Sequence, residues 1–249
     1  MSCVLIEKME LPEACLLGST IFKKQFLNTG DLTAADKRIL SQQVDKVIWQ
    51  ASLKPGNINI RPYRDDVREY EEVEIIEVRL NEMKNIHRIA EIVMRTILYP
   101  ILLQLTYQDQ IMVVVGHSRT NLSDSTKNTI EEFLYTDWFR MDVLTDFQQQ
   151  FFEQIHSSKL SFTNFYRFYD GVADQVILLN ATRWANHYLM EKDAKEVKGI
   201  TDKILHHEQQ IMELKKEIMK ETQFNRKVDI NVELRTELKK RNLLIQEMK

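Results

Sequence analysis

The chain has 249 residues, 43% apolar and 29% charged, with a formal net charge of −3. That composition is ordinary for a globular chain of one or two domains. It argues against a wholesale nucleic-acid binder, which carries a clear basic excess. Only 6 Gly and 4 Pro are present, which leaves little room for flexible linkers. The two cysteines, Cys3 and Cys15, form no zinc spacing. They read as reduced thiols.

The first residues carry Glu7, Lys8, Glu10 and Glu13, which interrupt the apolar run that a signal peptide needs. No window holds the ~18 apolar residues of a membrane span. These observations predict a cytoplasmic protein that does not enter the membrane.

Asp31-Leu32-Thr33-Ala34-Ala35-Asp36 reads as a helix start, with Thr33 and Asp36 as a relaxed capping box. Leu40, Val44, Val47, Ile48 and Ala51 follow at helical spacing and predict one helix running to Lys54-Pro55-Gly56. Trp49 then falls on its last turns as a core anchor. Asn57-Ile58-Asn59-Ile60 alternates and predicts a short strand, which Pro62 ends. Residues 64–72 are charged and read as a loop.

Val73-Glu74-Ile75-Ile76-Glu77-Val78-Arg79-Leu80 is rich in β-branched residues and predicts a strand. Asn85 opens a helix with Ile86, Ile89, Ala90, Val93 and Ile97 on its apolar face, broken by Tyr99-Pro100. Residues 101–107 and 111–116 read as a hairpin turning near Asp109, its second strand covered on both faces. Residues 129–138 read as another strand. Residues 1–140 thus form an α+β domain, a small mostly antiparallel sheet with packed helices. In residues 141–198 the pattern turns helical. Phe147, Phe151, Phe152 and Ile155 share a face, and Phe162, Phe165, Tyr166, Phe168, Tyr169 and Trp184 follow. Such density indicates a packed helical core. A base-stacking surface would interleave more Lys and Arg.

Residues 199–249 contain no Gly or Pro after Gly199. As one rod they would span roughly 75 Å. Ile204, Ile211 and Ile218 mark one heptad position, and His207, Leu214, Glu221 and Val228 the other. The phase fails within residues 222–229 and resumes shifted at Leu234, Leu238, Ile245 and Met248. The break permits a stutter in an intermolecular coil, a turn between two antiparallel helices, or docking on a partner. From Lys215 onward ten basic residues stand against six acidic ones. Lys215, Lys216, Lys220, Lys239, Lys240 and Arg241 are therefore candidates for phosphate contacts with DNA or RNA. A solvated helix face is the plainer reading.

Several stretches together carry a family resemblance. They are Lys23-Lys24, Val47-Ile48-Trp49, Asn57-Ile58-Asn59-Ile60, Glu74-Ile75-Ile76-Glu77-Val78, Tyr99-Pro100-Ile101-Leu102, Tyr135-Thr136-Asp137-Trp138 and above all residues 221–231, whose most specific part is Gln223-Phe224-Asn225-Arg226-Lys227-Val228. In these the chain resembles the bacterial domain-of-unknown-function family numbered 4391, from about residue 8 onward. The resemblance implies a prokaryotic source and the company of restriction-modification or helicase–methyltransferase antiviral loci. It supplies no catalytic motif and no cofactor.

The nearest catalytic constellation is Asp65 or Asp66 followed by Glu77-Val78-Arg79. A metal-dependent nuclease sets carboxylates on Mg²⁺ with a Lys beside them. Here Arg79 replaces the Lys and is a poor general base. No phosphate-binding glycine loop is present. His117 beside Ser118 has no identifiable acidic partner. The sequence therefore predicts a non-enzymatic subunit without cofactor or metal. It would dock on a helicase, methyltransferase or nuclease component, or pair as a homodimer through the terminal coil. Phe224, Asn225, Arg226, Lys227, Val228 and Asn231 are the expected contacts.

Overall fold

Residues 44–53 decide the architecture. In the computed structural model, which describes residues 3–28, 32–120 and 128–249, the predicted long helix stops at Gln43 and the chain continues as a strand. The capping box does start that helix. Thr33 Oγ1 accepts from the Asp36 amide at 3.1 Å, and Asp36 Oδ2 accepts from the Thr33 amide at 3.0 Å. Asp31 lies outside the described residues. The apolar stripe is real but belongs to two elements. Leu40 faces inward from the helix, whereas Val44, Val47, Ile48 and Ala51 are buried along the strand. Partners on both sides favour extended backbone for these β-branched residues.

The chain forms two compact units, Met1–Val176 and Ile177–Lys249. The first begins with α1 (Val4–Met9), β1 (Leu16–Ile21), α2 (Lys23–Leu27), α3 (Ala34–Gln43) and β2 (Val44–Leu53). A small hairpin follows, β3 (Tyr63–Arg64) and β4 (Glu69–Tyr70), within the stretch expected to be a loop. Then come β5 (Val73–Leu80), α4 (Ile86–Thr96), β6 (Ile101–Tyr107) and β7 (Gln110–Val115), as the periodicity predicts. β8 (Ser118–Thr120) pairs with β9 (Asn128–Ile130). β10 (Leu134–Tyr135), β11 (Phe139–Arg140), α5 (Asp146–Gln154) and the first half of α6 (Phe165–Ala185) complete the unit.

The main sheet has the order β1-β2-β5-β6-β7, with β10 and β11 both on the far side of β7. Every pairing is antiparallel except β5 with β6. Parallel neighbours need a crossover, and α4 supplies it. On one face Val47, Ile76, Val78, Leu103, Leu105 and Val114 pack with Ile89, Ala90 and Val93 of α4, and with Leu40 and Phe26. Each such aliphatic side chain contributes roughly 1.5–3 kcal/mol. The fold is therefore α+β.

Two strand expectations fail. Residues 57–60 lie at the end of a turn over residues 55–57 and in the bend after it, not in a strand. Asn57 Oδ1 accepts from the Lys54 amide, and Ile58 and Ile60 are buried with no strand paired to them among the described residues. Residues 129–138 are split between β9 and β10. The split follows a close approach: a Cβ built on Gly116 would lie 2.6 Å from the Glu132 carbonyl oxygen. No described helix is long and apolar enough to cross a membrane.

The second unit contains the end of α6, then α7 (Ala194–Lys220) and α8 (Phe224–Met248). Asp193 caps α7 by accepting from the Lys195 and Glu196 amides. The terminal segment is an antiparallel hairpin, with Thr201 beside Met248, His207 beside Glu237 and Arg226 beside Glu217. The turn is residues 221–223, at the front of the heptad break. Glu221 Oε1 accepts from the Thr222 and Gln223 amides at 2.8 and 2.7 Å. That satisfies amides just before α8, where an acid also suits the helix dipole.

Candidate functional site

The two helices of the hairpin bury one stripe each. Ile204, Ile211 and Leu214 of α7 and Ile230 and Met248 of α8 are inside. His207, which breaks the apolar seam, meets Glu237 there, with Nδ1 2.5 Å from Glu237 Oε2, and Lys240 Nζ donates to the other carboxylate oxygen at 2.7 Å. Lys240 and His207 hold the Glu237 carboxyl below the usual range. Partnered polar groups inside a helix pair set register, because any slip leaves a charge unpaired.

At 100° per residue, the α8 positions opposite this seam are 224, 225, 228, 232, 235, 239, 242, 243 and 246. Phe224, Val228, Val232 and Leu243 on that face are exposed, Phe224 by 78%. Arg235 and Lys239 lie among them, exposed and without an ion pair among the described residues. Met219, 85% exposed, stands just before the turn.

The expected contact residues do not all share this face. Phe224, Asn225 and Val228 lie on it, with the half-buried Asn231 beside it. Lys227 is exposed but lies towards the seam side. Arg226 turns back to α7, 3.2 Å from Glu221 and 3.7 Å from Glu217. Among the candidate phosphate contacts, Lys215, Lys216 and Lys220 are exposed along α7 and Lys239 along α8. Lys240 is engaged with Glu237, and Arg241 is half-buried. Val232 and Leu243 were missed by the sequence reading. A helical wheel of α8 drawn alone would have found them.

In the first unit one polar network is internal. Glu77 is 1% exposed. Its Oε1 accepts from Arg79 Nε at 3.1 Å and Thr106 Oγ1 at 2.9 Å. Its Oε2 accepts from Arg79 Nη2 at 3.1 Å and Gln50 Nε2 at 2.6 Å. Four donors occupy the carboxylate and oppose a metal ion there. Gln104 extends the network, accepting from the Leu5 amide and the Cys3 thiol, whose pKa burial pushes up to about 12. Asp65 serves the β3–β4 turn, accepting from the Val67 and Arg68 amides and the Tyr63 hydroxyl. Asp66 is exposed. Among the described residues no group of three His, Cys, Asp or Glu is placed to hold a metal.

His117 does have an acidic partner, supplied from α6, 53 positions along the chain. Its Nε2 is 3.1 Å from Asp170 Oδ1, and its Nδ1 is 2.7 Å from the Tyr70 hydroxyl. A carboxylate–imidazole–hydroxyl row is an acid–base layout. Here the hydroxyl end is closed. Tyr70 is fully buried, its oxygen accepts from the Ser118 amide, and burial raises its pKa further above the usual phenol range. The row ties β4, β8 and α6 together. Tyr169 strengthens it, its hydroxyl accepting from the Gly116 amide and donating to a carbonyl of Gly116 or Ile101.

Glu74 lies on the opposite face of β5 from Glu77. Its carboxylate accepts from Trp49 Nε1 at 2.5 Å and Ser52 Oγ at 3.0 Å. Burial raises its pKa to about 7 against these lowering bonds.

No curated protein sequence and no solved structure matches the chain. A family model does, over residues 9–241, under the description Domain of unknown function (DUF4391). The match spans most of the chain, which belongs to that family.

Proposed function

We propose that the protein is a non-enzymatic interaction subunit of a bacterial antiphage defence or restriction-modification system, working in the cytoplasm. Its hairpin docks on an acidic, partly apolar surface of a helicase, methyltransferase or nuclease component. The observation that carries this reading is the outward face of α8. Phe224, Val228, Val232 and Leu243 are exposed there, with Arg235 and Lys239 among them. Exposed apolar residues grouped on one face, rather than scattered, mark interaction surfaces. Two cations between them, without an ion pair among the described residues, select an acidic partner. Pairing two copies through this face would set Arg235 and Lys239 against themselves, which like-charge repulsion opposes.

The test is a pull-down from the native host after nuclease treatment, comparing the intact chain with a Phe224→Ala, Val232→Ala variant. The reading expects a helicase or methyltransferase to be retained by the first and lost by the second, at equal helicity. Equal recovery by both chains would remove the hairpin face from the mechanism.

A second reading rests on Lys215, Lys216, Lys220 and Lys239, which are exposed and make no ion pair among the described residues. It assigns them to the phosphates of DNA or RNA. It expects binding that weakens by about 0.9 logarithmic units per phosphate contact for each tenfold rise in salt on duplex DNA. Absence of binding at low salt would end it.

A further inference from the structure

β1 is the edge strand of the main sheet. It pairs with β2 on one side, and among the described residues no strand pairs with the other. Five of its six residues are exposed. A bulge lies between Leu16 and Ser19, where Gly18 takes φ +64°. Beyond it Ser19, Thr20 and Ile21 run in regular register with Trp49, Ile48 and Val47.

Ser19, Trp49 and Ile76 stand opposite one another across β1, β2 and β5, and so share one face. Above this row lies a cavity of about 330 Å³. Gln25 and Phe26 of α2 wall it, as do Thr96 and Ile97 at the end of α4. Its floor is held in place, because the Trp49 indole is tethered to Glu74. An edge that no further strand covers among the described residues thus borders a mostly apolar hole.

We propose that β1 is a docking edge for an extended segment of a partner protein, which adds as a further strand and seats one large apolar side chain in the cavity beside Ser19. Strand addition takes its affinity from backbone hydrogen bonds and its selectivity from pockets for alternate side chains. A residue facing Ser19 extends the Ile76–Trp49–Ser19 row by one place, so its side chain stands at the cavity. A small molecule would leave the β1 backbone unpaired. A second copy of β1 brings only Ser19 and Ile21 to this face beyond the bulge and leaves the hole underfilled. The proposal is independent of the hairpin reading, since it uses different residues in the other unit.

The experiment selects a random library of short displayed peptides against the full-length protein, with a Thr20→Pro variant as control. The expected enriched peptides alternate polar and apolar residues around one aromatic or large aliphatic residue. They shift the Trp49 fluorescence and lose at least about tenfold in affinity when that residue becomes alanine. N-methylation of alternate peptide amides abolishes binding. A cavity-filling Thr96→Phe variant, which leaves the edge intact, loses the same peptides. No enrichment above the Thr20→Pro control would overturn the proposal, as would affinity that survives N-methylation. A dimer in light scattering that Thr20→Pro dissociates would overturn it in favour of a second copy.

Discussion

In the sheet unit Glu77 is 1% exposed and four donors converge on it from β2, β5 and β6. In the hairpin Arg235 and Lys239 stand exposed among exposed apolar residues and make no ion pair among the described residues. The first arrangement spends its polar groups inside, on fixing strand positions. The second keeps a seam for itself, with one polar set at His207, Glu237 and Lys240, and leaves the opposite face unsatisfied. The Glu77 carboxylate, which belongs to a catalytic-looking set in the sequence, is thus engaged inside the sheet. The outward side chains of α8 are exposed to solvent.

Breaking the Glu77 network should have the largest effect. Glu77→Ala removes the carboxylate that accepts from Gln50, Thr106 and Arg79. A loss of about 3 kcal/mol is expected in the denaturant unfolding of the sheet unit. An unchanged midpoint would mean that solvent or a neighbour replaces the carboxylate.

Gly116→Ala comes next. The new methyl meets the Glu132 carbonyl oxygen and the Ile130 side chain at 2.6 and 2.7 Å. The cost should be roughly 1–3 kcal/mol, measured by thermal unfolding, and the Tyr169 tyrosyl contact should loosen with it.

The pH dependence of the sheet unit tests Glu74. Its folded pKa is raised to about 7, so the folded state holds a proton that the unfolded state releases. Stability from this group is full below the ordinary glutamate range and falls as pH rises towards 7. It changes no further above that. Glu74→Gln should flatten the profile between about pH 4.5 and 7 by roughly 1–3 kcal/mol. A profile identical to that of the parent chain would show that Glu74 ionises normally.

In the hairpin, Glu237→Gln should cost about 1 kcal/mol by weakening the bonds to His207 and Lys240. It should speed amide exchange along α8 more than in the sheet. The smallest effect sharpens the contrast: Val228→Ser and Val232→Ser on the outward face should each change stability by less than about 0.5 kcal/mol. A larger loss would show that this face is packed in the isolated protein.

Much of the sheet could be read from the chain. Residues 73–80 and 101–107 and the helix between them are local patterns whose propensity and environment agree, so periodicity finds them. The stretch Val44–Leu53 was not legible as a strand. Its apolar positions satisfy helical spacing as well, and only pairing with β1 and β5 selects the extended form. The Asp170 partner of His117 was invisible for a related reason. A contact spanning 53 positions has no local signature.

By itself, the sequence determined the α+β class, the cap at Thr33 and Asp36, the two strands that flank α4, the break in the terminal helix and the family. These rest on short-range spacing, capping chemistry and an unusual run of residues, all of which act along the chain. Tertiary structure alone decided that the broken helix closes on itself, that Glu77 is sealed rather than open, and which side of α8 faces outward. Each depends on which distant surface an element meets, and burial against that surface is what turns one local pattern into a core, a seam or a free face.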